Sequence, residues 1–577
     1  MKISLLFFLL LLHMQAGAQK EVSNKLVQNA DGKVAQLIDL FNADAESLNK
    51  VYLFKENPEY YNRFLMFYSE ELQQLKSLSF NALSVSDQVD YLLFKRNLIK
   101  AIEDLETSKK EYASIAPLVP FAKQIVDLQI LRRRGAALQP ETTATLINNV
   151  KNSTIIAMAE ARKNTTISTT LAQKTSSVID ELRRGLQNTF DFYNSYDPLF
   201  TWWVKKPFEE ADSALNSYAG YLKSVNAIDK KLPVDVSGIR GTPVGAAELK
   251  RLLEFEMIPY SAEELIEIAN REFAWCDAEM IKASQAFGFG KDWKKALEKV
   301  KQNYVLPGQQ PQLANSLAEE AIAFVESHNL VTIPPLAKEA WRMNMLTEAQ
   351  QRFAPFFLGG ESILVAYPTD KMEHDTKLMS MKSNNYAFSH AVVFHELIPG
   401  HNLQFFMSRR YKPYRRQMFS TPFSVEGWAL YWEMLLWDKN FHDTPEKKIG
   451  ALFWRMHRCA RIIFSLNYHL GKWTPQQCID FLVERVGHEP FSATSEVRRS
   501  FEGGYGPLYQ LAYMMGGLQL RALYKEVVET KKMTDKEFHD AFLKENTIPI
   551  EMFRAILTNK KLTEDFKTSW RFANDLK

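Results

Sequence analysis

The sequence predicts a large, mostly α-helical protein. Apolar residues recur three and four positions apart along most of its 577 residues, whereas strand-like alternation is scarce. Hydrophobic residues make up 46% of the chain and aromatic residues 12%, which suffices for a large core. Lysine and arginine (71) nearly balance aspartate and glutamate (68), so the charge does not indicate nucleic acid or an anionic membrane as a partner.

The first residues predict export. Lys2 precedes an apolar run over residues 3–12, and small residues at 16–18 suggest cleavage after Ala18. We therefore expect a signal peptide over residues 1–18, a periplasmic or secreted protein, and no membrane span after cleavage. An uncleaved anchor is the alternative, but a span needs roughly twenty apolar residues. The lack of a cysteine after the predicted cleavage site argues against a lipid-modified terminus.

Residues 19–240 are predicted to form an N-terminal helical region. Apolar spacing predicts helices over residues 37–48, 87–105, 141–162, 168–193 and 208–225. We assign the aromatic pair Trp202-Trp203 to the core, because such a pair before a helix is usually packing. Prolines and glycines concentrate over residues 228–250 and mark a boundary. Residues 241–577 should form a second helical region that packs with the first as one body.

Beyond this boundary the helical pattern resumes and is then interrupted. Helices are predicted over residues 246–255, 261–287 and 313–328. Ser261 provides an N-cap for the second of these helices. Gly359-Gly360 and the β-prone residues 363–367 then predict a small β hairpin or short sheet. This element could align an extended substrate or be purely structural.

Three cysteines, Cys276, Cys459 and Cys478, show no spacing typical of metal ligands. We expect them to be buried as small hydrophobic residues. Spacing leaves open whether Cys459 and Cys478 form a disulfide in an oxidising compartment. A zinc site built from thiolates is therefore not predicted.

Residues 395–401, His-Glu-Leu-Ile-Pro-Gly-His, look like an interrupted HExxH zinc motif. In the regular motif two histidines four positions apart share one face of a helix. Here the second histidine is six positions away, which an ideal helix would place about 240° round and about 9 Å further along. Pro399 has no N–H for the helix and Gly400 tolerates unusual backbone angles. We therefore expect the helix to break and His401 to return beside His395.

A helix downstream provides a carboxylate that can complete this site. Residues 425–433 are predicted to be helical, and Glu426 and Glu433, seven positions apart, nearly share a face. Two imidazoles and one carboxylate hold zinc and leave one position for a water molecule, whose pKa the metal lowers towards about 7. We predict one Zn²⁺ held by His395, His401 and Glu426, and Glu433 as a partner that orients a ligand.

These motifs resemble the bacterial family known as domain of unknown function 885, which is thought to be related to helical gluzincin-type zinc peptidases. The resemblance is most specific over residues 395–404 and 426–433, and it extends less specifically over most of the mature chain. It implies a mostly helical fold with a deep cleft, a zinc site and hydrolysis of peptide bonds. Asn402 stands where family members usually have a second histidine, and Ser465 where they have an aspartate. We keep His401 as the ligand and expect Asn402 to lie near the metal.

The resemblance also suggests roles for three residues outside the metal motif. Tyr513 and His469 match family positions and could donate hydrogen bonds to the oxyanion of the transition state, although both could equally be packed helix residues. Arg499 matches a family arginine and could bind a substrate carboxylate, which would favour carboxypeptidase action. A structural ion pair is the alternative for Arg499.

The sequence thus predicts a secreted zinc metallopeptidase, an HExxH variant with glutamate as the third ligand, that hydrolyses small or unfolded peptides. Glu396 is the predicted general base, which takes a proton from the metal-activated water. The alternative is a helical protein that binds peptides without cutting them and keeps a structural or degenerate metal site. Asn402 and Ser465 favour this alternative, whereas the intact His395 and Glu396 favour the enzyme.

Overall fold

The computed structural model describes residues 32–164, 167–228, 235–502 and 504–573. The predicted signal peptide and its cleavage site lie outside these residues. The described chain is predominantly helical and contains a two-stranded sheet, which confirms the predicted fold class. Within the described residues, no helix combines the length and the apolar character needed to cross a membrane.

The described chain forms two compact units. The first comprises residues 32–82 and 94–228, and the second comprises residues 83–93 and 235–573. The division lies close to the boundary predicted at residue 240, but the sequence did not indicate that residues 83–93 belong with the second unit. Packing of the two regions as one body stays a prediction.

Five helices of the first unit correspond to predicted ranges, although one begins and another ends ten residues beyond the prediction, and the helices over residues 58–76 and 122–133 were not predicted. The helices of this unit are α1 (Lys33–Val51), α2 (Pro58–Lys76), α3 (Val85–Ile115, from residue 94 onward), α4 (Ala122–Arg133), α5 (Pro140–Lys163), α6 (Thr169–Tyr193) and α7 (Pro198–Ile228). Side chains cap several of them: Asn57 accepts the N–H of Glu59 at the start of α2, and Ser168 accepts that of Leu171 in α6. Each cap satisfies a backbone donor that the helix itself leaves unpaired.

The assignment of Trp202 and Trp203 to the core is wrong. Trp202 is 80% exposed and Trp203 is 43% exposed. The inward face of α7 is formed by Phe200, Val204 and Phe208, four residues apart, and Phe208 stacks on a phenylalanine of α6. Because each residue turns the helix by about 100°, Trp202 points roughly 200° away from Phe200 and so faces solvent.

The second unit carries the remaining elements. They are α8 (Gly245–Phe255), α9 (Ala262–Ala286), α10 (Trp293–Lys301), α11 (Gln310–Ser327), α12 (Pro335–Ala340), β1 (Arg342–Met345), α13 (Glu348–Gln351), β2 (Ser362–Val365), α14 (His374–Ser383), α15 (Tyr386–Glu396), α16 (His401–Ser408), α17 (Pro413–Phe419), α18 (Pro422–Asp438), α19 (Pro445–His469), α20 (Pro475–Phe481), α21 (Pro490–Glu502), α22 (Tyr509–Tyr524), α23 (Asp535–Glu545) and α24 (Ile550–Leu557). The predicted cap at Ser261 is confirmed as one half of a capping box with Glu264.

The β element before the motif is a short sheet rather than a hairpin. Strands β1 and β2 pair in parallel, with Arg342 opposite Ser362 and Met345 opposite Val365. A short turn can join only antiparallel strands. The connection between the parallel strands β1 and β2 is therefore longer, and it contains α13. The loop between α13 and β2 carries Gly359 and Gly360, which precede β2 by a few residues.

Two glycines bring α18 and α22 unusually close in the core of the second unit. A Cβ atom on Gly516 would lie 1.9 Å from the carbonyl oxygen of Phe423, and one on Gly427 would lie 2.5 Å from Cα of Gly516. Side chains at these positions would force the helices apart. The three cysteines are buried and form no disulfide, so the pairing left open by the spacing is absent.

Candidate metal centre

The helical break predicted within the motif is present. Helix α15 ends at Glu396 and α16 begins at His401, and between them Leu397 leaves the helical region with φ −106° and ψ −112°. The Ile398–Pro399 peptide bond is cis. A Cβ atom on Gly400 would lie 1.9 Å from the carbonyl oxygen of His395, so the chain can fold back this tightly only with glycine at that position.

Helix α18 holds this turn in place. The indole N–H of Trp428 donates to the carbonyl oxygen of Pro399 at 2.9 Å. The amide N–H of Gln404, in α16, donates to the carbonyl oxygen of Ser424 at 3.0 Å. Both bonds join the interrupted motif to the helix that carries Glu426, so the two halves of the predicted site are fastened together.

The predicted ligands converge in the buried interior. The Oε2 atom of Glu426 lies 3.1 Å from Nε2 of His401 and 3.9 Å from Nε2 of His395. One ring nitrogen of each histidine and one carboxylate oxygen of Glu396 all lie within 4.8 Å of one another. All four side chains are buried. The break therefore brings His401 beside His395, as the helical geometry required.

The residues behind the ligands form a second layer of polar contacts. Nδ1 of His395 lies 2.7 Å from Oε1 of Glu433, and the same oxygen accepts a hydrogen bond from Arg458 at 3.1 Å. The hydroxyl of Tyr509 donates to Oε1 of Glu426. A carboxylate behind a metal-binding histidine fixes the orientation of its ring and its tautomer, which is the position predicted for Glu433.

Burial and nearby charges act differently on the two carboxyl groups of the cluster. Burial raises the pKa of Glu396, and the positive charges of His395 and His401 only partly oppose this. Burial also disfavours ionisation of Glu426, but His401, His395 and the hydrogen bond from Tyr509 outweigh it and hold its pKa well below the ordinary value. Glu426 is thus suited to bind a cation, and Glu396 to exchange a proton.

Asn402 lies next to this cluster but does not contact the ligands in place of a histidine. Its amide N–H groups donate to the carbonyl oxygens of Gly360 and Glu361, at 3.1 and 3.2 Å. The loop that it holds passes directly over Glu396, since a Cβ atom on Gly359 would lie 2.1 Å from Oε2 of Glu396. In the sequence, Gly359 indicates only a break before a strand, and its close approach to Glu396 is seen only in the folded chain.

A cavity of about 240 Å³ opens onto the cluster. One wall is apolar and includes Phe356, Phe357, Leu364, Val392 and Trp454. The predicted residues Tyr513 and Arg499 also line the cavity. The ring of Tyr513 stacks on that of His395, with centroids 6.2 Å apart, and its hydroxyl lies 3.5 Å from Nη2 of Arg499.

His469 does not line this cavity. Its ring contacts Tyr468 and Phe501, and its Nδ1 atom is buried without a hydrogen-bond partner among the described residues. Burial lowers the pKa of His469 to about 4. The structure therefore brings Tyr513, but not His469, to the metal cluster.

Several residues of the site were not singled out in the sequence. Arg458 and Arg461 line the cavity from α19, Tyr509 contacts a predicted ligand, and Glu496 is fully buried behind the arginines. A signal was present for two of them: Arg458 and Arg461 continue a three-residue spacing of arginines that begins at Arg455, within a largely apolar part of α19. Charged residues are rarely buried without a partner, so such a pattern indicates a buried polar network.

Comparison with known proteins relates the chain to proteins of unknown function. The family described as "Bacterial protein of unknown function (DUF885)" matches residues 52–557. A solved structure from Shewanella oneidensis, described as "a putative lipoprotein of unknown function", matches with a TM-score of 0.65 and 18% identity, over 91% of this chain and 99% of that one. A second solved structure, from Colwellia psychrerythraea and described as "the putative lipoprotein", matches with a TM-score of 0.55 and 16% identity. The match covers 91% of this chain and 98% of that one. No curated protein matches the sequence.

Proposed function

We propose that this chain, which belongs to the family described as "Bacterial protein of unknown function (DUF885)", is a metal-dependent peptidase with Glu396 as its general base. The observation that carries the proposal is the buried convergence of His395, His401 and Glu426 beside a further carboxylate, Glu396. Two imidazoles and one carboxylate are a ligand set of catalytic zinc sites, which keep a position for water.

The donor atoms fit the size of a zinc ion. In a tetrahedron with bonds of about 2.0–2.1 Å, neighbouring ligand atoms lie about 3.3 Å apart. The two distances from Glu426 to the histidine nitrogens, 3.1 and 3.9 Å, bracket this value. Glu396 follows His395 directly, the position of the general base in HExxH sites, so we assign Glu426 as the third ligand and leave Glu396 for proton transfer.

When bound, the metal would polarise the substrate carbonyl and favour deprotonation of a water molecule. Glu396 accepts the proton of that water, as the hydroxide adds to the carbonyl carbon of the peptide bond. The C–N bond then breaks, and Glu396 gives the proton to the leaving amine. The raised pKa of Glu396 supports the first of these transfers, because a base with a higher pKa holds the accepted proton more readily.

The surrounding side chains would orient these groups. Glu433 and Arg458 hold the ring of His395, and Tyr509 holds Glu426. Tyr513 carries a hydroxyl that can donate a hydrogen bond to the developing oxyanion, and it lines the same cavity. The loop over Glu396, tied down by Asn402, limits the access of bulk water to the base.

The proposed peptidase acts outside the cytoplasm. The apolar run at residues 3–12, followed by small residues, supports export through a signal peptide. Two solved structures that this chain resembles in fold are each described as a "putative lipoprotein", and lipoproteins are exported proteins, which is consistent with this proposal. The substrates would then be small or unfolded peptides in the periplasm or the medium.

Metal analysis combined with digestion tests the proposal. The purified protein should contain about one zinc ion per chain and should cleave a mixed peptide library, and a chelator should abolish cleavage. His401→Ala should lose the metal, whereas substitution of His328 by alanine should keep it, because His328 is an exposed residue directly after α11. Peptide binding without cleavage by the zinc-loaded protein would instead support a non-catalytic binding protein.

A further inference from the structure

Three arginines line the cavity beside the metal cluster, and one of them lacks a close carboxylate partner. Arg458 donates to Glu433 at 3.1 Å, and Arg461 donates to Glu496 at 2.7 Å. The only carboxylate within 4.0 Å of Arg499 in the described chain is Glu496, at that limiting distance. Since two carboxylates serve three buried guanidinium groups, this end of the cavity keeps an excess positive charge.

Each of these arginines also keeps a buried donor without an acceptor. The atoms are Nε of Arg458, Nη1 of Arg461 and Nε of Arg499, and none has a hydrogen-bond partner in the described part of the chain. An unpaired buried donor on a charged group is costly, so its persistence in a cavity points to a ligand that accepts. The other contacts of Arg499 are weak: a 3.5 Å contact to Tyr513 and a ring contact to Tyr505 at 4.8 Å.

The end of the cavity that is lined by Arg458, Arg461 and Arg499 lies close to the metal cluster. Tyr513 connects the two, because its ring stacks on His395 and its hydroxyl approaches Arg499. Arg458 also connects the arginines to the metal cluster, since it donates a hydrogen bond to Glu433, which in turn contacts His395. One aromatic side chain, Tyr513, therefore separates the proposed reacting centre from the weakly paired guanidinium of Arg499.

We propose that Arg499, supported by Arg461, binds the free carboxylate at the C-terminal end of a peptide substrate, so that the protein cleaves peptides near that end. A guanidinium matches a carboxylate in shape and can donate two parallel hydrogen bonds to it. The inference rests on the proposed peptidase function, because it names the class of substrate for the same cavity.

The size of the cavity supports cleavage near the terminus. Its volume of about 240 Å³ is below the roughly 300–1,000 Å³ of pockets for drug-sized ligands, so only a short segment fits between Arg499 and the cluster. An internal segment of a long peptide would bring no carboxylate of its own backbone and would leave Arg499 unpaired. The tyrosines and phenylalanines of the walls suit an apolar last side chain.

Binding measured without turnover tests this subsite. Zinc-loaded Glu396→Gln protein is titrated calorimetrically with acetyl-Ala-Ala-Phe and with its C-terminal amide. The free acid should bind about tenfold or more tightly, because the amide cannot satisfy the buried guanidinium. Acetyl-Ala-Ala-Glu amide, whose carboxylate is on the side chain, should bind as weakly as the phenylalanine amide. Equal affinity of the acid and the amide, or tight binding of the glutamate amide, would overturn the assignment.

A second substitution tests whether Arg499 is the residue that causes the preference for the free acid. In the Glu396→Gln background, Arg499→Met should remove the preference, so that both peptides bind with the weak affinity of the amide. Arg485→Met is the matched control: this arginine pairs with Asp277 away from the cavity, and the preference should persist. If the Arg499 variant does not fold, the affinities of the acid and the amide for the Glu396→Gln protein still show whether the cavity recognises a C-terminal carboxylate.

The outcome is separable from that of the proposed function. If the wild-type protein cuts no peptide but the acid still binds preferentially, hydrolysis fails and the carboxylate subsite stands. If the wild-type protein cuts peptides while the acid and the amide bind equally, hydrolysis stands and the subsite fails. The binding titration therefore does not depend on catalytic activity.

Discussion

At the scale of single residues, environment assigns different roles to chemically identical side chains. Glu396 and Glu426 are both buried, and both lie close to the same two histidines. Glu426 accepts a hydrogen bond from Tyr509 and lies 3.1 Å from His401, and its pKa is lowered, whereas the pKa of Glu396 is raised. The difference follows from which carboxylate has partners that stabilise its negative charge.

Substitution of Glu396 tests the general base. Glu396→Gln keeps the size of the side chain and all proposed ligands, so it should retain zinc. Peptide cleavage should fall at least about a hundredfold, the low end of what a general base contributes. The measurement is zinc content together with kcat on one peptide, and Glu319→Gln, an exposed glutamate of α11, serves as the control. Turnover near that of the wild type would remove Glu396 from this role.

Glu496 compensates the charge of the arginine cluster. It accepts hydrogen bonds from Arg461 at 2.7 Å and from Gln510 at 3.0 Å, and Arg499 lies 4.0 Å from its other oxygen. Burial would raise its pKa, but the two arginines outweigh this effect and lower the pKa from 4.5 to about 2. Two buried arginines thus depend on one carboxylate.

Glu496→Gln should destabilise the protein by about 3–5 kcal/mol at pH 7, because it leaves buried guanidinium groups without a counter-charge. The contribution of the wild-type carboxylate is complete above its ordinary pKa of 4.5 and is lost as the pH falls to about 2. The difference in unfolding free energy between the two proteins should therefore shrink over this range. Urea unfolding at a series of pH values measures it; a constant difference would contradict the assignment.

At the scale of elements, the site depends on how closely helices approach. Helix α18 carries Glu426, and α22 carries Tyr509 and Tyr513, so the contact between these helices sets the position of a proposed ligand relative to the two tyrosines. Gly427 and Gly516 allow that contact. The helices were predictable from apolar spacing, but the need for glycine at their crossing was not, because it depends on residues 89 positions apart.

Gly516→Ala should disrupt this contact, since the added Cβ would lie 1.9 Å from the carbonyl oxygen of Phe423. We expect a loss of about 1–3 kcal/mol or more in stability and weaker zinc binding, because α18 moves relative to α22. Gly517→Ala is the matched control: its Cβ would meet only the side chain of Leu430, at 3.2 Å, and its effect should be much smaller. Urea unfolding and zinc titration measure both effects, and similar behaviour of the two variants would refute the argument.

At the scale of the whole molecule, the proposed site belongs to one unit. The residues that line the cavity lie between 356 and 513, and all belong to the second unit. The three proposed ligands, His395, His401 and Glu426, also belong to this unit, as does Glu396. The first unit contributes none of the residues named in the site.

Zinc should therefore stabilise the unit that holds the cluster. A ligand that binds only the folded state stabilises it by about 2.7 kcal/mol at a free concentration one hundred times its Kd. Differential scanning calorimetry should show a higher Tm with zinc and a lower Tm with chelator, and His401→Ala should abolish the difference. An unchanged Tm in the wild-type protein would indicate that the cluster does not bind zinc in the folded state.

The fold class and the interrupted motif followed from the sequence by itself, because both depend on local rules. Apolar spacing predicted the helices, and Pro399-Gly400 required a break that could return His401 to His395. Glu426 and Glu433 were also predictable, since one helical face relates them. Their proximity to the histidines is seen only in the folded chain.

The tertiary structure alone decided which distant residues meet at the site. It brought Tyr513 and Arg499 to the cavity, left His469 outside it, and turned Trp202 towards solvent. It also placed Gly359 against Glu396. These positions depend on how helices pack across long stretches of chain, and a helix presents its residues to solvent or to a partner according to that packing. Local periodicity does not contain this information.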